Sequence, residues 1–167
     1  MKHIISAVVE NKAGVLAHIA GLFSARSYNI ESLTVGATEN PALSRMTIVA
    51  AGDEAILEQI RKQLAKVIDV LKVVDYAGKR VVERDLALIK VSAPPAKRHE
   101  IATLVELFRG RVVDISASSL TIEVSGPEEK IEACIDLLRP CGIKEMVRTG
   151  VVAMLRGEGG AGKSAED

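Results

Sequence analysis

Aromatic side chains are almost missing from this sequence. Tryptophan is absent, and Phe23, Tyr28, Tyr76 and Phe108 are the only phenylalanines and tyrosines among 167 residues. The core must therefore be aliphatic, and a base-stacking platform has little to be built from. Cysteine is scarce too. Cys134 falls within an apolar helical pattern and Cys141 lies beyond Pro140, so a structural disulfide is not expected and a reducing cytoplasm fits. No apolar run reaches the roughly 18 residues of a membrane span. Lys2 leads straight into an alternating strand, without the zones of a signal peptide. Neither sign of charge dominates: 22 basic and 22 acidic residues cancel, which removes the electrostatic case for nucleic acid. His3, His18 and His99 stand at no recognised metal-ligand spacing, and no Ser–His–Asp or Cys–His set suggests itself. The expectation is a chain with no metal, no cofactor of its own and no catalytic residue.

What is present is pattern. Residues 3–10 alternate, with Ile5, Ala7 and Val9 on one face and Ser6 and Glu10 on the other, as in a half-buried strand. Residues 14–27 place Val15, Leu16, Ile19, Leu22 and Phe23 at helical spacing. Strands follow over 30–37 and 44–51, the second after the Asn40-Pro41 turn signal. Gly52-Asp53 opens a helix carrying Ile56, Leu57, Ile60, Leu64 and Val67, with Glu58 and Lys62 as an i,i+4 pair, and 69–76 reads as a strand.

After Tyr76-Ala77-Gly78-Lys79 the same order starts again. A strand from Leu86 to Ala93 is stopped by Pro94-Pro95. A helix with Ile101, Leu104, Val105 and Phe108 closes at Gly110. Strands at 112–117 and 120–125 precede Pro127 at the start of a helix with Ile131, Cys134, Ile135 and Leu138, and 143–147 closes the unit. Two β-α-β-β-α-β units in tandem predict an α+β chain of two ferredoxin-like sandwiches, each a four-stranded antiparallel sheet with helices on one face. The other face of each sheet needs cover, from a second unit or subunit. The RNA-recognition motif shares this element order, but none of the four aromatics falls on a strand centre, so RNA binding is not expected.

The tail from Arg156 is rich in glycine and polar residues and reads as disordered. It holds Gly157-Glu158-Gly159-Gly160-Ala161-Gly162-Lys163-Ser164, a full match to the phosphate-loop pattern. That pattern works only when a helix follows the lysine, and three residues cannot supply one.

Two short segments remain. Asn11-Lys12-Ala13-Gly14-Val15-Leu16 joins the first strand to the first helix, and Tyr28-Asn29-Ile30-Glu31-Ser32-Leu33 leads from that helix into the next strand. A strand, a glycine turn and a helix start leave backbone N–H groups open to a small carboxylate. Turn chemistry alone also accounts for these residue types: Gly14 as a helix-start turn, Asn11 as an Asx-turn or N-cap residue, Asn29 as a left-handed helix end.

Asn11-x-x-Gly14-Val15-Leu16, Gly21-Leu22-Phe23-Ser24, residues 28–35 and Leu43-Ser44-Arg45-Met46-Thr47-Ile48 together resemble the small, regulatory subunits of acetolactate synthase. Asp69-Val70-Leu71-Lys72-Val73, Val82-Glu83-Arg84-Asp85-Leu86, Phe108-Arg109-Gly110 and Arg148-Thr149-Gly150-Val151-Val152 continue the likeness, which spans about residues 2–156. The resemblance implies an ACT amino-acid-sensing domain over 1–77, a ferredoxin-like C-terminal domain over 78–155 and a tail over 156–167. It also implies a homodimer in the cytoplasm. The partner would be a catalytic subunit carrying thiamine diphosphate, magnesium and FAD, which the small subunit activates and places under feedback inhibition, usually by valine. Two first domains pairing side by side would build the effector site at their seam. Amides of Ala13, Gly14, Val15 and Leu16 would hold the carboxylate, and Asn11 would add a polar contact. Asn29 and Ile30 of the neighbouring subunit would take the ammonium, and Leu16 and Ile30 would size the pocket. The alternative is a stand-alone tandem ACT-type sensor acting on another enzyme or on transcription.

Overall fold

A computed structural model of the chain describes residues 2–157. The first unit runs β1 (Lys2–Glu10), α1 (Val15–Ala25), β2 (Ile30–Ala37), β3 (Leu43–Ala51), α2 (Glu54–Ala65) and β4 (Val70–Asp75). Its antiparallel sheet has the order β2-β3-β1-β4. The alternation in β1 sets the register against β3, with Ile5 opposite Ile48 and Ala7 opposite Met46. Ile5, Ala7 and Val9 are fully buried with Ile19 and Phe23 of α1 and Leu57, Ile60 and Leu64 of α2. Asp53 caps α2 by accepting the Ile56 N–H at 2.9 Å, as the Gly52-Asp53 start predicts. Phe23 and Tyr28 meet edge to face, with ring centroids 6.2 Å apart.

The second unit runs β5 (Val81–Ser92), α3 (Arg98–Leu107), β6 (Arg111–Ile115), β7 (Ser119–Gly126), α4 (Glu128–Leu138) and β8 (Ile143–Arg148), with short 3-10 turns at 95–97 and 139–141. Its strand order, β6-β7-β5-β8, repeats that of the first unit. Ala87, Ile89 and Val91 of β5 pack on Ile101 and Val105 of α3 and on Ile131, Cys134, Ile135 and Leu138 of α4. Cys134 and Cys141 are both free thiols. Burial pushes the Cys134 thiol upward, against a smaller opposing pull from Lys130. Iodoacetamide at pH 8 is therefore expected to label Cys141 at least about tenfold faster than Cys134, with the difference lost in denaturant; peptide mass mapping reads both.

One element escaped the sequence reading. β9 (Val152–Leu155) pairs with β5, and Arg156 N–H donates to the Arg80 carbonyl at 2.9 Å. Residues 2–82 and 151–157 form one compact unit and 83–150 the other. Residues 78–82 and 151–155, expected with the second domain, thus lie with the first. The physical reason is hydrogen bonding. Val151 N–H donates to Ser32 Oγ at 3.0 Å, Thr34 Oγ1 donates to the Val151 carbonyl at 3.1 Å, and Tyr76 OH donates to the Ala153 carbonyl at 3.2 Å. Ser6, Thr47 and Val49, on the sheet face away from the helices, are buried to 4 % exposure or less. The unit's own returning segment thus lies against part of that face. Tyr76→Phe is expected to lower unfolding free energy by about 1 kcal/mol, since it strands one buried carbonyl; urea denaturation measures it. The tail's phosphate-loop pattern lies, beyond Gly157, outside the described residues.

Candidate functional site: the start of the first helix

β1 ends at Glu10 and α1 begins at Val15, so four residues must reverse the chain. Gly14 makes this possible. It is the N-cap of α1 in left-handed geometry, φ 88° and ψ −17°, a region that L-residues with a Cβ rarely adopt. A glycine cap has no side-chain acceptor, so the first-turn amides of α1 lack a side-chain cap. An added Cβ at Gly14 would meet nothing within 4 Å. The helix start is thus an exposed concentration of N–H groups at the positive end of the helix dipole.

Around it, Ala13 is exposed and Leu16 is 44 % exposed, while Val15 is buried in the core. Val15 can therefore contribute only its backbone, and Leu16 presents an apolar side chain beside the amides. Asn11 does not cap the helix. Its side-chain N–H donates to the Pro41 carbonyl at 2.9 Å and its backbone N–H to the Ala42 carbonyl at 2.8 Å, tying this loop to the β2–β3 turn. With one amide N–H so engaged, Asn11 keeps its second N–H and Oδ1, the latter an acceptor suited to an ammonium.

Lys12 was not singled out by sequence reasoning. Its ammonium contacts Glu10 at 2.6 Å and Asp69 at 2.7 Å, and the hydrogen bonds to Asp69 and then Glu10 hold it protonated well above the usual lysine range. The i−2 spacing to Glu10 was visible in the sequence; the Asp69 contact arises only because the start of β4 folds beside the end of β1, where Glu10 N–H donates to the Asp69 carbonyl.

The other half of the expected site stands elsewhere in the chain. Asn29 is exposed and Ile30 half-buried. Asn29 is not the left-handed helix-end residue; Ser27 is, at φ 55°. Ile30 pairs with Ala50, which also pairs with His3 at the start of β1, whereas Glu10 pairs with Leu43 at the other end. Within one chain, Asn29 and Ile30 therefore lie roughly 20 Å of strand away from the α1 start.

Two sandwiches of identical strand order, the first with an open helix-start amide cradle, define the class of tandem ferredoxin-like, ACT-type proteins. Comparison with known proteins narrows it. Residues 5–72 match the AHAS small subunit-like ACT domain, and residues 84–157 match the small subunit of acetolactate synthase. A probable acetolactate synthase small subunit of Archaeoglobus fulgidus is 57 % identical over 157 residues, covering 94 % of this chain and 98 % of that one. The acetolactate synthase small subunit of Aquifex aeolicus is 54 % identical, covering 93 % and 81 %. The crystal structure of the acetolactate synthase small subunit from Thermotoga maritima superposes with a TM-score of 0.87 at 43 % identity, covering 94 % of this chain and 98 % of that one. The chain belongs to the acetolactate synthase small (regulatory) subunit family. Among the described residues no helix is long and apolar enough to cross a membrane, and no group of three or more His, Cys, Asp or Glu could hold a metal ion.

Proposed function

We propose that this chain activates the catalytic subunit of acetolactate synthase and confers feedback inhibition by valine bound at a seam between two copies of its first unit. The observation that carries this reading is the exposed, left-handed Gly14 at an uncapped helix start, flanked by the exposed Leu16. A carboxylate accepts hydrogen bonds from the amides around Ala13 to Leu16, while Asn11 Oδ1 and a branched side chain against Leu16 complete the fit.

The sheet register explains why a second copy is needed. β2 is an edge strand, with β3 on its one side. A two-fold axis that pairs two β2 edges antiparallel sets the start of one β2 beside the end of the other. Asn29 and Ile30 of the second copy then arrive at the end of the sheet that holds Asn11 to Leu16. The effector is sensed only by an assembled pair, and its signal is a coupling free energy, typically about 1–3 kcal/mol. The likeness of residues 84–157 to the small-subunit family supports this reading over a stand-alone tandem sensor, for which a matched second unit has no role.

The test is direct. The catalytic subunit, with its thiamine diphosphate, magnesium and FAD, is assayed for acetolactate formation alone, with this chain, and with this chain plus valine. The expected results are co-purification, a rise in rate on adding the chain, and loss of that rate with valine. Pyruvate turnover by this chain alone, or no effect on the catalytic subunit, would reject the proposal.

A further inference from the structure

The helix layer of the first unit carries a groove of about 650 Å³ between α1 and the end of α2. Ala17, Gly21 and Leu22 of α1 face Lys66, Val67 and Ile68 across it. The fold gives no reason for three of its features. Gly21 lies in the middle of α1, exposed, and an added Cβ would meet nothing within 4 Å. A helix-interior glycine is destabilising relative to alanine, and no packing among the described residues requires it. With Ala17 one turn earlier, it leaves nearly bare backbone along one wall, where another element can approach closely. Ile68, on the facing wall, is 91 % exposed. Finally, the ionisable groups lining the groove are His18, Arg26 and Lys66, with no carboxylate among them. Arg26 donates to Gln63 Oε1 at 2.9 Å, which holds its guanidinium at the groove.

We propose that this groove docks an acidic, amphipathic segment of the catalytic subunit. Its apolar side chains lie against Leu22 and Ile68, its backbone approaches Gly21, and its carboxylates meet Arg26 and Lys66. The inference rests on the reading above, that the chain works by binding a catalytic subunit. A second copy of this chain is the poorer occupant. A two-fold contact through the groove sets Arg26 and Lys66 against basic residues of the other copy, and like charges at an interface oppose association.

The full chain and the purified catalytic subunit test this with two variants, Gly21→Gln and Lys66→Glu. Glutamine is a good helix former, so Gly21→Gln should melt at or above the wild-type temperature while its side chain fills the groove. Both variants are expected to bind the catalytic subunit about tenfold or more weakly by calorimetry. Lys66→Glu should also flatten the salt dependence of binding. Valine binding to the variants alone stays at the wild-type value. Wild-type affinity of a well-folded Gly21→Gln for the catalytic subunit overturns the proposal. So does an effect confined to self-association of the chain, read by analytical ultracentrifugation. Failure of the wild-type chain itself to bind the catalytic subunit overturns the proposed function, and this docking with it.

Discussion

Gly14→Asp is expected to yield a subunit that still activates its catalytic partner but no longer transmits valine inhibition. Two effects act in the same direction. An aspartate at the N-cap of α1 accepts hydrogen bonds from the first-turn amides, which are the groups a ligand carboxylate needs. Its charge also repels a second carboxylate within a few ångströms. The fold should tolerate the change. Nothing lies within 4 Å of the new Cβ, and aspartate visits left-handed geometry more readily than most residues. The strain at φ 88° is partly offset by about 1 kcal/mol from the new cap. Valine affinity should fall by about a hundredfold, loss of two charge-assisted hydrogen bonds being worth that much. Gly14→Ala is the control. It introduces the backbone strain without occupying the amides, so it should keep a valine response, shifted by a few-fold. Calorimetric titration of valine, beside the inhibition curve of the complex, reads both variants. Normal inhibition in Gly14→Asp would place the effector elsewhere.

That much of the site was legible because Gly14 has a local reason to be glycine. A strand that ends on Glu10 and a helix that starts on Val15 leave room only for a tight reversal, and such reversals favour positive φ. The period-two run through Ile5, Ala7 and Val9 and the helical run through Ile19 and Phe23 likewise state their partners' side of the sheet in advance. What stayed hidden depends on distant pairing. β9 has only four residues, and the anchors of the segment that leads into it, Ser32 and Thr34, are short polar side chains that read as solvent-facing. Their bonds to Val151 span 119 and 117 residues, which no window along the sequence contains. Asn11 has the same character. Its residue type suits a cap, but the carbonyl of Pro41, thirty residues on, takes its amide and alters what it can offer a ligand.

Arg148→Met should destabilise the second unit by about 3 kcal/mol, the largest stability change expected of any single substitution considered for this chain. Two segments far apart in sequence meet here. Asp85, at 1 % side-chain exposure, accepts from Arg148 Nε at 2.8 Å and pairs with Nη2 of the same guanidinium. Arg148 Nη1 also reaches Glu132 of α4 at 2.5 Å, so a single side chain joins β5, β8 and α4. Burial alone would lower the arginine's proton affinity, but the bonds to Asp85 and Glu132 more than compensate and raise it. Removing the guanidinium leaves Asp85 with Thr149 Oγ1 at 3.3 Å as its remaining donor, a weak substitute for a buried charge. Glu132 loses little, because at 47 % exposure water replaces its partner. The reverse change, Asp85→Val, should cost less, about 1–2 kcal/mol, since Arg148 keeps Glu132 and is 26 % exposed. The double variant should fall closer to wild type than Arg148→Met alone, because the unpaired charge is gone. Urea denaturation of the four proteins completes the cycle. If Arg148→Met costs no more than Asp85→Val, the isolated carboxylate is not the source of the loss, and the role assigned to this pair fails.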